Sequence, residues 1–347
     1  MKLVLGTMTM GKQVEADEAA LMLADFVGHA DSSSGARHDS IEVDTAYVYN
    51  GGRTESMLGD LLSVNPNPAF QLAGKANPAA PGRLTREGIS NQLDTSLKRL
   101  RQDSLDLFYL HSPDLETPIE ESLEAINDAY QAGKIRRFGL SNYAAWQVAQ
   151  IYEKCDRHGW LKPVCYQGMY NAITRDVERE LFKCLVDLDM AFYVYNPLAG
   201  GLLSGKYNTP DSLPESLPDR GRFSYHKSYP ERYWKNDNHR AVAGIGKACL
   251  ENDIPVLDAA LGWLLHHSAL VTTANWQVVD ANASVTNACV KTPASESNAV
   301  ILGASSLQQL QQNQKACARG PLPDAIVDAV DEAWALAQPT CIKYFRP

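Results

Sequence analysis

"LDLFYLHSPDLETPIEESLEAINDAYQAGKIRRFGLSN", residues 105–142, holds one complete strand–helix–strand unit. Its opening "LDLFYLH" (105–111) is almost continuously apolar, as a strand buried on both faces should be. "TPIEESLEAINDAYQAGK" then takes up a helical period, with Thr117 expected as N-cap, Pro118 at the first helical position and Gly133 after the last turn. "RRFGLSN" (136–142) is the next strand.

The same alternation runs along the chain. Strand signals fall at "LVLGTM" (3–8), "IEVDTA" (41–46), "FQLAGKA" (70–76), "VCYQGMY" (164–170), "AFYVYNP" (191–197) and "AVILGAS" (299–305). Amphipathic stretches lie between them: "EADEAALMLADFV", "TREGISNQLDTSLKRL" with Thr85 at its start, "AAWQVAQIYEKCDRHG", "DVERELFKCLVDLD" and "SLQQLQQNQKACA". Eight strand signals, each followed by a helix signal, predict a (β/α)8 TIM barrel spanning residues 1–347 as one domain. A doubly wound sheet would want G-x-G-x-x-G in the first turn, and "GTMTMG" does not provide it. Two stretches interrupt the pattern. Residues 199–238, rich in Gly, Pro and polar side chains, read as a loop that covers something, and residues 270–298 read as an exposed insertion.

Composition narrows the partners. A chain of 347 residues with 45% hydrophobic and 21% charged residues is ordinary for a soluble globular protein. A formal charge of −9 argues against a nucleic-acid or anionic-membrane surface, so an anionic ligand needs locally placed cations. Seven scattered cysteines without C-x-x-C suit reduced thiols, not a disulfide framework or a zinc site. "MKLVLGTMTMG" is too short for a signal segment, and no run reaches the roughly 18 apolar residues of a membrane span. The expectation is a cytoplasmic protein in which the sequon Asn282-Ala283-Ser284 is an unused chance match.

Polar residues mark the C-terminal ends of the strands: Asp44 and Tyr49, Lys75, His111, Ser141 and Asn142, Gln167, Tyr195 and Asn196, then Ser305 and Ser306. In a parallel barrel these ends converge on the face where active sites lie. Singly, each has an ordinary structural explanation: a solvated strand end for Lys75, a helix cap for Asp44, a satisfied polar residue before a turn for His111. Together they make a site. A tyrosine with an unperturbed pKa near ~10 needs a cation nearby for acid–base work at neutral pH. Lys75 is placed to be that cation, and Asp44 to be the counter-charge that holds it.

At this level of detail the chain resembles the aldo-keto reductases, within them the branch of aflatoxin-aldehyde and succinic-semialdehyde reductases. The resemblance is carried by "LVLGTMTMG", "DTAYVYNGGRTE", "FYLHSPDLETPIEESL", "GLSNY", "YQGMYN", "NPLAGGLLSGKY", "RYWK", "VILGASSLQQLQQN" and the final "YFR". The departures are the polar stretch Ala30–Ser40 and the insertion around 270–298, both outside the matching motifs.

The resemblance implies NADPH/NADP+ as cofactor and reversible hydride transfer to a small-molecule carbonyl, with Tyr49 as proton donor and His111 orienting the carbonyl oxygen. It implies cofactor contacts from Asp44, Ser141, Asn142, Gln167 and the stacking ring of Tyr195. The loop from Asn196 through Leu198, Gly200, Gly201, Leu202 and Ser204 to Lys206 would cover the pyrophosphate. Arg220, Ser305, Gln309, Gln312 and Asn313 complete the cofactor set, with the N-terminal region of the last helix favouring phosphate. Tyr229, Arg232 and Arg346 correspond to residues that face substrate, and the arginines suit a carboxylate through their planar fork. No metal is implied, and a homodimer is. "GGLLSGKY" also satisfies G-x-x-x-x-G-K, but Tyr207 stands where a nucleotide-hydrolysing loop needs Ser or Thr. The rival reading is a cofactor-binding regulatory or sensor subunit of the same fold with little turnover; all four catalytic positions being filled favours the enzyme.

Overall fold

Every expected strand forms, and the strands close on themselves in chain order. The computed structural model describes residues 1–34, 41–64, 70–207, 222–225, 228–273 and 297–346. The strands are β1 (Lys2–Gly6), β2 (Ile41–Asp44), β3 (Phe70–Ala76), β4 (Leu105–Leu110), β5 (Ile135–Ser141), β6 (Pro163–Met169), β7 (Ala191–Tyr195) and β8 (Ala299–Gly303). Each pairs in parallel with its successor, and β1 pairs with β8 from Lys2↔Ala299 to Gly6↔Gly303, which closes the barrel.

Helices surround it: α1 (Ala16–Ser34), α2 (Arg53–Val64), α3 (Arg86–Leu100), α4 (Ile119–Gln131), α5 (Ala145–His158) and α6 (Leu181–Asp187). After β7 come α7 (Arg222–Tyr225), α8 (Ser228–Tyr233), α9 (Asn236–Glu251), α10 (Val256–His266) and α11 (Ala269–Thr273). α12 (Leu307–Cys317) and α13 (Asp324–Ala337) follow β8.

Period-two alternation decides what enters the barrel. Ile41, Val43, Leu72, Phe108 and Leu110 pack outward in the main core with the helices. Val4, Ala73, Leu107, Tyr109, Cys165, Ala191, Tyr193, Ala299 and Ile301 form a separate cluster. Continuing that inward set towards the strand ends by steps of two reaches Lys75 from Ala73, His111 from Tyr109, Gln167 from Cys165 and Tyr195 from Tyr193. Gly139 is required by this packing, since a Cβ there would lie 2.5 Å from the Tyr109 ring.

Four local expectations need correction. The stretch 199–238, read as a loop, holds α7 and α8 and the start of α9 among its described residues. Thr117 does not cap α4: Pro118 occupies the cap position, and the Thr117 hydroxyl donates to Asp114 Oδ2 at 2.8 Å. "DVERELFKCLVDLD" is not one helix, because Glu180 at φ −149° separates a 3-10 turn (Asp176–Arg179) from α6. The start of the 270–298 stretch completes α11. Thr85, read at the start of this helical stretch, caps α3 by accepting from the Gly88 N–H. Residues 35–40 and 274–296 lie outside the described residues, as does Arg220.

Candidate active site

The floor of the site is a buried ion pair. Lys75 Nζ donates to Asp44 Oδ1 and to the Thr45 carbonyl, both at 2.6 Å, and Gln167 Nε2 donates to Asp44 Oδ2 at 2.7 Å. Burial pushes the carboxyl up and the ammonium down, while their mutual attraction opposes both shifts. Lys75 is fully buried and so supports the floor without lining the cleft.

Tyr49 stands on a tight turn after β2 in which Asn50 and Gly51 both have positive φ, 50° and 66°. Asn50 Nδ2 donates to the carbonyls of Met8 (3.0 Å) and Met10 (2.9 Å), pinning the turn to the β1 loop. From behind, Arg99 Nη1 donates to the Tyr47 carbonyl at 3.2 Å while paired with buried Glu55 at 3.0 Å. Lys75 Nζ lies 5.3 Å from the centre of the Tyr49 ring. The expected lowering of the phenol by Lys75 is not the net effect. Burial, then the Asp44 charge, pushes Tyr49 well above the ordinary tyrosine value, while Arg222 acts in the lowering direction. The physical reason is that burial penalises the phenolate and the Asp44 carboxylate repels it. Tyr49 therefore stands as a protonated phenol through the neutral range, the form a proton donor needs.

His111 lies beside it, ring centroids 6.1 Å apart at 76°. Burial, then the positive charges of Lys75 and Arg346, hold the imidazole well below its ordinary pKa, so it is neutral. Asn142 Nδ2 donates to the His111 carbonyl at 2.8 Å and Asn142 Oδ1 accepts from Tyr195 at 2.7 Å. Asn196 continues this wall, accepting from Tyr229 at 2.9 Å.

These side chains line a cleft of about 560 Å³ over the C-terminal ends of the strands. Ser141, Asn142, Gln167 and Tyr195 form one wall. The loop after β7 contributes Asn196, Leu198, Gly200, Gly201, Ser204 and Lys206. Ser305, Gln309, Gln312 and Asn313 close the far end, and Tyr229, Arg232 and Arg346 the near rim. Leu202 does not line the cleft; it is buried in the core beneath the loop, so only its backbone could face a ligand. Gln309 is partly spent within the protein, its Oε1 accepting from the Ser305 N–H and hydroxyl at 3.1 and 2.9 Å.

Residues missed in the sequence also line it, among them Thr9, Asn50, Asn77 and Arg222. Arg222 stands two residues after the expected Arg220, and "RGR" offered no signal to choose between them. Asn50 and Asn77 each follow an expected catalytic residue closely, in "YN" and "KAN", and that proximity was the available signal.

The cleft can hold a large anion. Among the described residues, Lys206, Arg222, Arg232 and Arg346 line it without a carboxylate partner, and the Asp44 carboxylate there is already paired. The buried Ser204 Oγ has no hydrogen-bond partner there either. Gly200 and Gly201, at φ 71° and 104°, turn the loop without side-chain bulk. Ser306 caps α12, accepting from the Gln309 N–H, so the positive end of that helix faces the Ser305 corner. A long polyanion with a planar ring at one end fits this lining.

The sequence pattern of the Aldo/keto reductase family matches residues 2–335. Aflatoxin B1 aldehyde reductase member 2 of Homo sapiens is 42% identical over 354 aligned positions, covering 99% of this chain and 89% of that protein. Aflatoxin B1 aldehyde reductase member 4 of Homo sapiens is 40% identical, covering 99% and 96%. An aldo-keto reductase of Pseudocercospora fijiensis is 36% identical, covering 89% of this chain and 98% of its own length.

Proposed function

Because the chain belongs to the aldo/keto reductase family, we propose that it reduces the carbonyl of aldehydes to an alcohol with NADPH, and that Tyr49 delivers the proton. The observation that carries this reading is that Tyr49 and His111 stand side by side over a buried Asp44–Lys75 pair. Bound NADPH would supply the hydride. Ser141, Asn142 and Gln167 would hold its carboxamide, the Tyr195 ring its nicotinamide, and the loop from Asn196 to Lys206 its pyrophosphate. Ser305, Gln309, Gln312 and Asn313 would take the adenosine end.

As the carbonyl oxygen gains negative charge, hydrogen-bond donors aimed at it lower the barrier. His111 orients that oxygen, and Tyr49 Oη passes its proton to it. The phenolate left behind faces the Lys75 charge at the floor, which limits the cost of its formation. Arg346 acts on both His111 and Tyr195, Arg232 on Tyr195 and Arg222 on Tyr49, so three cations surround the reacting end. In a protein of net charge −9, that ring favours aldehydes bearing a carboxylate.

The test is a panel of carbonyl compounds with NADPH oxidation followed by absorbance, and NADH in parallel. Turnover of aldehydes, a lower KM for NADPH, and higher kcat/KM for 2-carboxybenzaldehyde or succinic semialdehyde than for uncharged analogues support the reading. Tight NADPH binding without turnover of any carbonyl would overturn it.

A further inference from the structure

His111 can orient a carbonyl oxygen only if the nitrogen facing the cleft carries a hydrogen. A neutral imidazole has one hydrogen, and the partner of the other nitrogen decides where it resides. That partner is Asn77, whose Nδ2 lies 3.2 Å from His111 Nδ1. The orientation of the Asn77 amide follows from its neighbours. The backbone N–H of Ala79, which can only donate, lies 2.9 Å from Asn77 Oδ1. Reversing the amide would set an NH2 group against that N–H. The NH2 therefore faces His111, and an NH2 can only donate. His111 Nδ1 must accept.

We propose that Asn77 is a positioning residue that fixes the Nε2–H tautomer of His111 and thereby keeps a hydrogen-bond donor aimed into the cleft at every pH from acid to alkaline. The assignment rests on the carbonyl-reduction reading above. Asn77 is itself clamped: its N–H donates to Gln92 Oε1 at 2.8 Å, and Gln92 Nε2 donates to the carbonyls of Asn77 (3.3 Å) and Arg83 (2.8 Å). Asn77 and Gln92 are both buried, so α3 reaches the reacting centre through two amides.

The same geometry disfavours the imidazolium, because Nδ1–H would meet the Asn77 NH2 head on. The charged groups around the ring act in the same sense. Lys75 from β3 and Arg346 from the C-terminal tail are both positive, and the neighbouring Tyr49 is protonated. Asp44 is held by Lys75 and Gln167.

The experiment combines imidazole 15N NMR with pH profiles. In the wild-type protein, His111, assigned by comparison with His111→Asn, should show protonated Nε2 and bare Nδ1 with no titration from about pH 5.5 to 8. A wild-type His111 protonated at Nδ1, or titrating near ~6.5, would overturn the proposal. Asn77→Asp replaces the donor by an acceptor of the same shape, so Nδ1 becomes protonated and Nε2 carries hydrogen only in the imidazolium. In that variant kcat/KM should acquire a new fall of tenfold per pH unit above the raised histidine pKa, absent from the wild type. Asn77→Ala should lose activity without that limb. If Asn77→Asp loses activity equally at all pH values and His111 keeps its Nε2–H, Asn77 has only a structural role. The NMR readout needs no turnover, so failure of the reductase reading and failure of the tautomer assignment are separable.

Discussion

Lys75 Nζ stands 2.6 Å from Asp44 Oδ1, and neither side chain exposes more than 5% of its surface. Two opposite charges removed from water depend on each other, and losing one strands the other. Asp44→Asn or Lys75→Met should each destabilise the protein by about 3–5 kcal/mol. The double variant should be less destabilised than the sum of the two, because it leaves no buried charge unpaired. Urea unfolding of the four proteins measures the coupling; strictly additive losses would contradict it.

Asp114 gives a prediction in pH. Burial opposes its ionisation, but Arg83, the Leu84 and Glu116 N–H groups and the Thr117 hydroxyl outweigh that and hold the carboxyl well below the usual range. A depressed folded pKa stabilises above the unfolded value of about 3.9, and the contribution disappears as pH falls through the folded value. Asp114→Asn should therefore cost roughly 1.5–3 kcal/mol at neutral pH, towards the lower end because the Arg83 side chain is 39% exposed. The gap in urea midpoint should narrow below about pH 4. A gap independent of pH would assign the loss to packing alone.

The barrel and the four central residues were legible because each rests on a strong local signal. Buried parallel strands are nearly all apolar, so Asp44, Lys75 and His111 stand out at their ends, and period two sends them inward. Tyr49 follows from the same run. What was not legible depends on contacts between distant segments. Asn50 reaches back to Met8 and Met10, and Asn77 reaches His111 across 34 positions. The direction of the Tyr49 shift was misjudged for a related reason: the sequence shows that a lysine is near, but not how deeply the ring is buried or how close the Asp44 charge stands. Arg222 was missed because its place in the cleft depends on the fold of the covering segment; Arg220 lies outside the described residues.

The proposed preference for carboxylate-bearing aldehydes rests on the rim cations and can be tested at one of them. Arg346→Ala should raise KM for 2-carboxybenzaldehyde about tenfold or more, the scale of one lost charge-assisted contact of roughly 1.5–3 kcal/mol, while changing KM for benzaldehyde little. Steady-state kinetics with the matched pair measures this. Equal loss on both would mean that Arg346 only anchors the tail, whose backbone N–H donates to the Asn142 carbonyl at 2.9 Å.

The central claim is that the Tyr49 hydroxyl is the proton donor, and Tyr49→Phe removes that hydroxyl while keeping the ring against His111. NADPH binding by fluorescence titration and single-turnover aldehyde reduction should be measured on the same preparation. The account predicts a cofactor Kd within about threefold of wild type and a reduction rate lower by at least 10²–10⁴-fold, the range of general acid catalysis. Near-normal reduction by Tyr49→Phe would contradict it and require another acid in the cleft.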